Sequence, residues 1–338
     1  MAAIGTNLVT LSDVAKGKNA QIGKVAEVLV QSNPILDHIP YMEMNEKTVH
    51  IESLRSNLPT VYYRKANQPI PASKSRIEER SFSAAHFESK SQIDLMVAAR
   101  GGSDRVAFNR WNQAQGHIQA MAQEHADLMI YGSPSEDARK VAGFFDVLST
   151  LSSSEPTSKQ MVSAGGSQSD NTSVLFVDWG PNTVFGVYPA GTTAGIQRSD
   201  NGKVQIIGTT EASTTGTFWG WEEEFMIDHG LVIKDYRATA RVCNIDISDL
   251  KAGGSSAADL LKLMTRAHYR IPASVRTKAG YVYMNITVAS FLHEQALDKV
   301  GTGGGLTFAN YQGEQVMMFL GRQVIVTDAI LNTEATVT

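Results

Sequence analysis

Cysteine is almost absent: Cys243 stands alone among 338 residues. No intrachain disulfide can form, and neither can a cysteine-based zinc site. A lone cysteine reads as a small buried apolar residue and suits a reducing compartment. Charge is scarce too. Charged residues make up 19% of the chain, against about 25% in average soluble proteins. Low surface charge suits a protein that covers much of its surface with copies of itself. A basic excess is missing as well: 30 Lys and Arg face 34 Asp and Glu, for a net charge of −4. Dedicated nucleic-acid binders usually carry the opposite balance. No stretch approaches the ~20 apolar residues that span a membrane. Met1 to Asp13 has no basic patch followed by an apolar run, so it reads as no secretory signal. The sequons Asn171-Thr-Ser173 and Asn285-Ile-Thr287 are then chance matches.

Hydrophobic residues reach 42%, and the length favours two packed regions with room for a sizeable core. Residues 1–20 are small and polar and read as an extended arm. Ile22, Val25, Ala26, Leu29 and Val30 have helical spacing, and this helix should stop before Asn33-Pro34. From Thr48 the pattern alternates, predicting a half-buried strand to Leu54 and a second strand from Leu58 to Tyr63. Asn67 to Arg80 has Pro69 and Pro71 and too few apolar groups to bury itself. Residues 48–98 therefore read as a long two-stranded excursion with a polar tip. An isolated hairpin is marginal in water, so this one should gain its order from a neighbour.

Residues 103–131 form the clearest element. Ala107, Trp111, Ala114, Ile118, Met121, Ala122, His125 and Leu128 fall on one helical stripe. Ser103 or Asp104 can cap its start, and Gly132 should supply a left-handed stop. Such a helix spans roughly 40 Å and acts as a strut. Residues 149–173, rich in Ser, Thr and Gly, read as a loop. Strands are expected at Val174–Val177, Thr183–Val187, Val204–Ile207, Leu231–Ile233, Ala238–Ile245 and Tyr281–Met284. Helices are expected at 257–268 and, capped by Asn285 or Thr287, at Val288–Val300. Val316–Leu320 and Gln323–Thr327 should form a hairpin around Gly321-Arg322.

No constellation demands catalysis. His117 and His125 lie two helical turns apart, too far to chelate one ion, and the HExxH spacing is absent. Glu222-Glu223-Glu224 cannot all point one way on a strand; this run reads as a solvated or intersubunit salt-bridging edge. Gly301–Gly305 follows a helix and lacks the Gly-Lys-Ser/Thr ending of a phosphate loop. There is no Gly-x-Ser-x-Gly elbow, although a dispersed Ser–His–Asp triad escapes sequence reading. No cofactor and no metal are expected. Arg64, Lys65, Lys74, Arg76, Glu78, Glu79 and Arg80 interleave charge along the excursion. They read either as a solvated face or as ion-pair partners of a neighbouring subunit.

The order of elements is arm, two-stranded excursion, strut helix, then a mixed α/β region. That order resembles the major capsid proteins of tailed double-stranded-DNA bacteriophages with the Hong Kong 97-type fold. Asn33-Pro-Ile-Leu-Asp-His-Ile-Pro40 is similar to the family's early segment. Leu58-Pro-Thr-Val-Tyr-Tyr-Arg64 with Asn67 is similar to the start of its extended loop. Ile130-Tyr-Gly132 and Phe144 resemble the segment after the spine helix. Trp179-Gly-Pro-Asn-Thr183, Tyr188-Pro-Ala-Gly191, Asp235-Tyr-Arg237 and Arg241-Val-Cys-Asn-Ile-Asp246 resemble the short-tailed-phage branch. Phe319-Leu-Gly321 and Val324-Ile-Val326 resemble the family's closing portion.

The resemblance implies an α+β fold with five portions: residues 1–47 as N-terminal arm and short helix, 48–98 as extended β-hairpin loop, and 99–150 as spine helix and start of the peripheral domain, then 151–280 as mixed α/β region with the axial domain and 281–338 as closing helix and hairpin. It implies a structural, non-enzymatic virion protein, assembled in the host cytoplasm. Its hexamers and pentamers would close an icosahedral shell around double-stranded DNA. The implied partners are further copies of the chain, a portal, a decoration protein and no membrane. The short stretch ahead of Ile22 leaves scaffolding to a separate protein. The Lys–Asn crosslink of some relatives finds no matching pair here. A bacterial nanocompartment shell, or a soluble enzyme with an unrecognised site, is the alternative.

Overall fold

The computed structural model describes residues 33–100, 102, 105–209, 215–253, 257–277, 279–298, 306–311 and 314–338. The expected arm, the helix at Ile22–Val30, the caps Ser103 and Asp104, and the loop Gly301–Gly305 lie outside these residues. In chain order the elements are α1 (Ile35–His38), β1 (Tyr41–Glu43), β2 (Val49–Asn57), β3 (Arg76–Ser83), β4 (Ala85–Asp94), α2 (Leu95–Ala98) and α3 (Val106–Tyr131). Then come α4 (Phe144–Val147), β5 (Met161–Ser163), β6 (Asn171–Asp178), β7 (Val184–Tyr188), β8 (Gln197–Thr209), β9 (Thr215–Ile233) and β10 (Thr239–Asp246). The chain ends with α5 (Ile247–Ala252), α6 (Leu260–Arg270), β11 (Gly280–Met284), α7 (Ile286–Asp298), β12 (Leu306–Tyr311), β13 (Glu314–Phe319) and β14 (Arg322–Val326).

The chain divides into two compact units. The first holds His86–Asp127 and Thr193–Asp228. Here β9 pairs with β8 on one side and β4 on the other, and the strut helix lies along one face. Ala114, Ile118 and Met121 of α3 pack on Phe87, Phe225 and Ile227. The expected stripe turns inward only from Ala114; Trp111 is 49% exposed. At this end only Val106 packs inward as an apolar group, against Ile93, Val97 and Ala98, and the inward positions that follow it are polar. Asn109 is buried and donates to the Ala98 carbonyl at 2.8 Å. The Arg110 guanidinium lies 4.4 Å over the Trp221 ring. Trp111, one step round the helix, is left outside.

The second unit holds Pro34–Ala85, Leu128–Thr192 and His229–Thr338. Its core is a seven-stranded sheet in the order β12-β13-β14-β11-β6-β10-β5. Every residue of β6 and β10 is buried, as expected for central strands covered on both faces. Leu260, Leu261, Met264 and Ala267 of α6 and Val288 and Leu292 of α7 pack on Val174, Phe176, Val242 and Val282. Both helices start on side-chain caps that satisfy orphan amides: Asp259 accepts from Lys262 N at 3.3 Å and Asn285 from Thr287 N at 3.0 Å.

Several expectations change. The region read as a loop at 149–173 contains β5 and the start of β6; β5 pairs in parallel with β10. A strand of only three residues, Met161 and Val162 buried and Ser163 exposed, gains its place from a sheet edge, which the polar composition around it does not reveal. β9 runs 19 residues, although only its last three were expected. Its glycines and acidic run disguise it, and pairing with β8 holds it extended. Gly132 is not left-handed; a Cβ there would collide with the carbonyl oxygens of Leu128 and Val141. The hairpin turn is Leu320-Gly321, one residue earlier than expected. Its φ values of 47° and 80° are what a two-residue turn between twisted strands requires.

Candidate subunit-contact surface

The excursion is a hairpin of β2 and β3, with Val49 opposite Ser83 and Leu54 opposite Glu78. Leu58–Tyr63 is not a strand; residues 58–75 form an irregular tip. Pro59, Pro69 and Pro71 lack the amide that a ladder needs. β4 leaves the hairpin and joins β9. Within the tip, Gln68 N donates to the Lys65 carbonyl at 3.2 Å, and Ser73 Oγ donates to the Thr60 carbonyl at 2.9 Å. Asn67 sits at φ 63°, a left-handed conformation that asparagine tolerates better than most residues.

The root of the hairpin is well tied. Asn45 bridges Ile51 through its amide, accepting from Ile51 N at 2.8 Å and donating to Ile51 O at 2.7 Å. His50 is buried and stands edge-on to Phe185, with ring centroids 5.5 Å apart. Glu52 receives Lys234 Nζ at 2.9 Å and His50 Nε2 at 3.2 Å. Burial pushes the Glu52 carboxyl up, but the hydrogen bonds from Lys234 and His50 outweigh it and hold the group below its ordinary value. Phe82 and Ala84 pack against Met44, Phe185, Val187 and Val232.

Away from the root the hairpin has nothing of its own to pack on. Leu58 is 71% exposed, Val61 87% and Tyr63 fully so. Of the seven charged residues singled out in the sequence, Arg76 and Glu78 meet each other at 3.3 Å. Glu79 stands opposite Ser53 and Arg80 opposite Glu52 in the ladder. Arg64, Lys65 and Lys74 are exposed on the tip. Among the described residues no carboxylate stands within ion-pair distance of these three. The exposed apolar residues are what the sequence reading missed, because Leu58–Tyr63 alternates like a strand with one buried side. The prolines were the available signal.

The acidic run behaves differently from a solvated or intersubunit edge. Its three carboxylates alternate across β9 as expected. Glu223 is buried and pairs with Arg110 at 2.5 Å and Arg198 at 2.9 Å. On the opposite face, Glu224 meets Lys90 at 2.6 Å, while Glu222 accepts from Gln92 at 2.5 Å. All partners are intramolecular and belong to the first unit. His117 accepts or donates a 2.6 Å bond with Ser89, and burial lowers its pKa. Among the described residues no group of His, Cys, Asp and Glu could hold a metal ion. No described helix is long and apolar enough to cross a membrane. Asn171 of the first sequon is fully buried.

A family model described as major capsid protein GP7 matches residues 17–338. The solved structure of bacteriophage Epsilon15 is similar with a TM-score of 0.77 and 26% identity, covering 100% of both chains. The bacteriophage JBD30 capsid gives a TM-score of 0.48 at 11% identity, covering 90% of this chain and 93% of that one. The SrpI encapsulin of Synechococcus elongatus gives 0.46 at 8% identity, covering 67% and 92%. No curated protein matches the chain.

Proposed function

The chain belongs to the major capsid protein GP7 family, and on that premise we propose that the excursion Val49–Ser83 is the arm by which each copy grips the next. The fold is of the Hong Kong 97 type and the role is structural: copies of the chain build the icosahedral shell of a phage virion. A nanocompartment shell is the weaker reading, since the family match is to a phage capsid protein.

One observation carries the proposed grip. The hairpin exposes Leu58, Val61 and Tyr63 on its irregular tip and Ile77 on β3, and large apolar side chains gathered on one exposed element mark an interaction site. Covering them on a neighbour lets the same surface recur at every position of a closed shell. Arg64, Lys65, Lys74, Glu79 and Arg80 then find their carboxylate and cation partners on that neighbour, and Arg76 and Glu78, paired with each other at 3.3 Å, face it as an ion pair. The finer partition into arm, extended loop, peripheral domain and axial domain belongs to this proposal. So do the short-tailed phage type, a separate scaffolding protein, a portal and decoration partner, and assembly in the host cytoplasm.

The test replaces residues 59–74 with a short Gly-Ser turn, which spares β2 and β3. The expected product folds with an unchanged circular dichroism spectrum and sediments as discrete small species. Shells of normal size in electron micrographs of this variant would overturn the assigned role.

A further inference from the structure

His86 opens the first unit on β4, immediately downstream of the excursion's return strand. Its ring is held from both sides. Nδ1 meets Asp228 Oδ1 of β9 at 2.5 Å, and Nε2 meets Glu88 Oε1 of β4 at 2.7 Å. A neutral imidazole carries one N–H, so it can donate to one carboxylate and must present a lone pair to the other. Two ionised carboxylates on opposite nitrogens are therefore satisfied only by the imidazolium. The carboxylates take opposite sides of the ring, which does not fit a shared metal ion, and none is accommodated among the described residues.

The surroundings reinforce this state. Alternation along the strands puts His86, Glu88 and Lys90 of β4 on one face with Glu222, Glu224 and Asp228 of β9. Lys90, the fixed cation of that face, is taken by Glu224 at 2.6 Å and Glu222 at 3.6 Å. β8 adds Gln197 and Ser199, opposite Met226 and Glu224. α3 packs on the other face, where His117 meets Ser89. The His86 side chain is 52% exposed, so protons reach it without unfolding.

We propose that His86 is a proton-operated clasp: doubly protonated, it ties β4 to Asp228 of β9 while also holding Glu88 of its own strand, and after losing a proton it donates to only one of the two, so the tautomer that keeps Glu88 gives up the bond to β9. The bonds from Glu88 and Asp228 raise its pKa above the ordinary 6.5. The sign follows: the clasp is complete below that ordinary value and is lost as pH rises through the raised one.

Hydrogen exchange of the full-length, unassembled chain measures this, with rates divided by their intrinsic values, from about pH 5.5 to about pH 8.5. Peptides covering 84–89 and 226–229 should lose protection several-fold across the range, while those of β6 and β10 stay constant. His86→Asn should abolish the pH dependence. Asp228→Asn and Glu88→Gln should each move its midpoint down. A flat wild-type profile, or the same profile in His86→Asn, would overturn the proposal. Should His86→Asn not fold, unchanged midpoints in both carboxamide variants would do the same. Because the readout is taken before assembly, it stands apart from the role given to the excursion.

Discussion

Glu334 has three partners inside the second unit, and no stretch of sequence announces it. Its Oε2 accepts from Ser173 Oγ at 2.5 Å and from Arg241 at 2.9 Å, and its Oε1 from Tyr131 OH at 2.7 Å. The Arg241 guanidinium also lies 3.7 Å above the Phe145 ring and donates to the Leu148 carbonyl at 2.8 Å. Removing one member of a buried ion pair leaves the other uncompensated, at about 3–5 kcal/mol. Glu334→Ala should therefore lower the urea-unfolding free energy by that amount; a loss within the error of the extrapolation would show that water already reaches the pair. Gly132→Ala should cost roughly 1–3 kcal/mol by overpacking, read as a lower thermal midpoint, because its Cβ meets two backbone oxygens. At this scale the sequence disclosed groups whose role is local. Asn285 was legible as a cap because the helix start lies beside it. Arg241 and Glu334 were not, because their meeting depends on the packing of segments far apart in the chain.

Elements with their own periodicity were legible: α3, α6 and α7 each show a helical stripe, and β2 alternates. Those that owe their form to a partner were not. β5 and most of β9 carry no strand pattern; a sheet edge and β8 hold them. The hairpin root illustrates how a side-chain network fixes an element. Glu52 is held below its ordinary value, so it stabilises the root above that value and ceases to do so as pH falls through the depressed one. Glu52→Gln should leave the root less protected at neutral pH and remove this acid-dependent part of the loss. Hydrogen exchange of residues 49–54, compared at neutral and acid pH, reads both effects; identical profiles would deny Glu52 its role.

For the whole molecule, the family and its shell were legible from the order of elements, whereas the proposed contact surface was only half visible. The charged residues of the excursion were named from the sequence. Its exposed Leu58, Val61 and Tyr63 emerged only from the structure. If the excursion grips a neighbour through both, Arg64→Glu with Lys65→Glu should raise the concentration at which shells form. Raised ionic strength should then affect the variant less than the wild type, since screening weakens the contacts it has lost. Light scattering across a salt series reads this, and equal salt dependence would deny those cations a partner.

The strand order of the second unit has a consequence in time. β6 lies between β10 and β11, and β11 lies between β6 and β14, so the middle of the sheet cannot close until residues 322–326 have been synthesised. Such non-local pairing slows folding. The hairpin 49–83, by contrast, is built of near neighbours and leaves the ribosome early, long before the body that anchors it. On the proposed role of the excursion, a nascent chain thus displays the hairpin that is to grip a neighbour while lacking a finished surface to receive another. Polysomes, where many such chains stand close together, are where premature association has to be prevented.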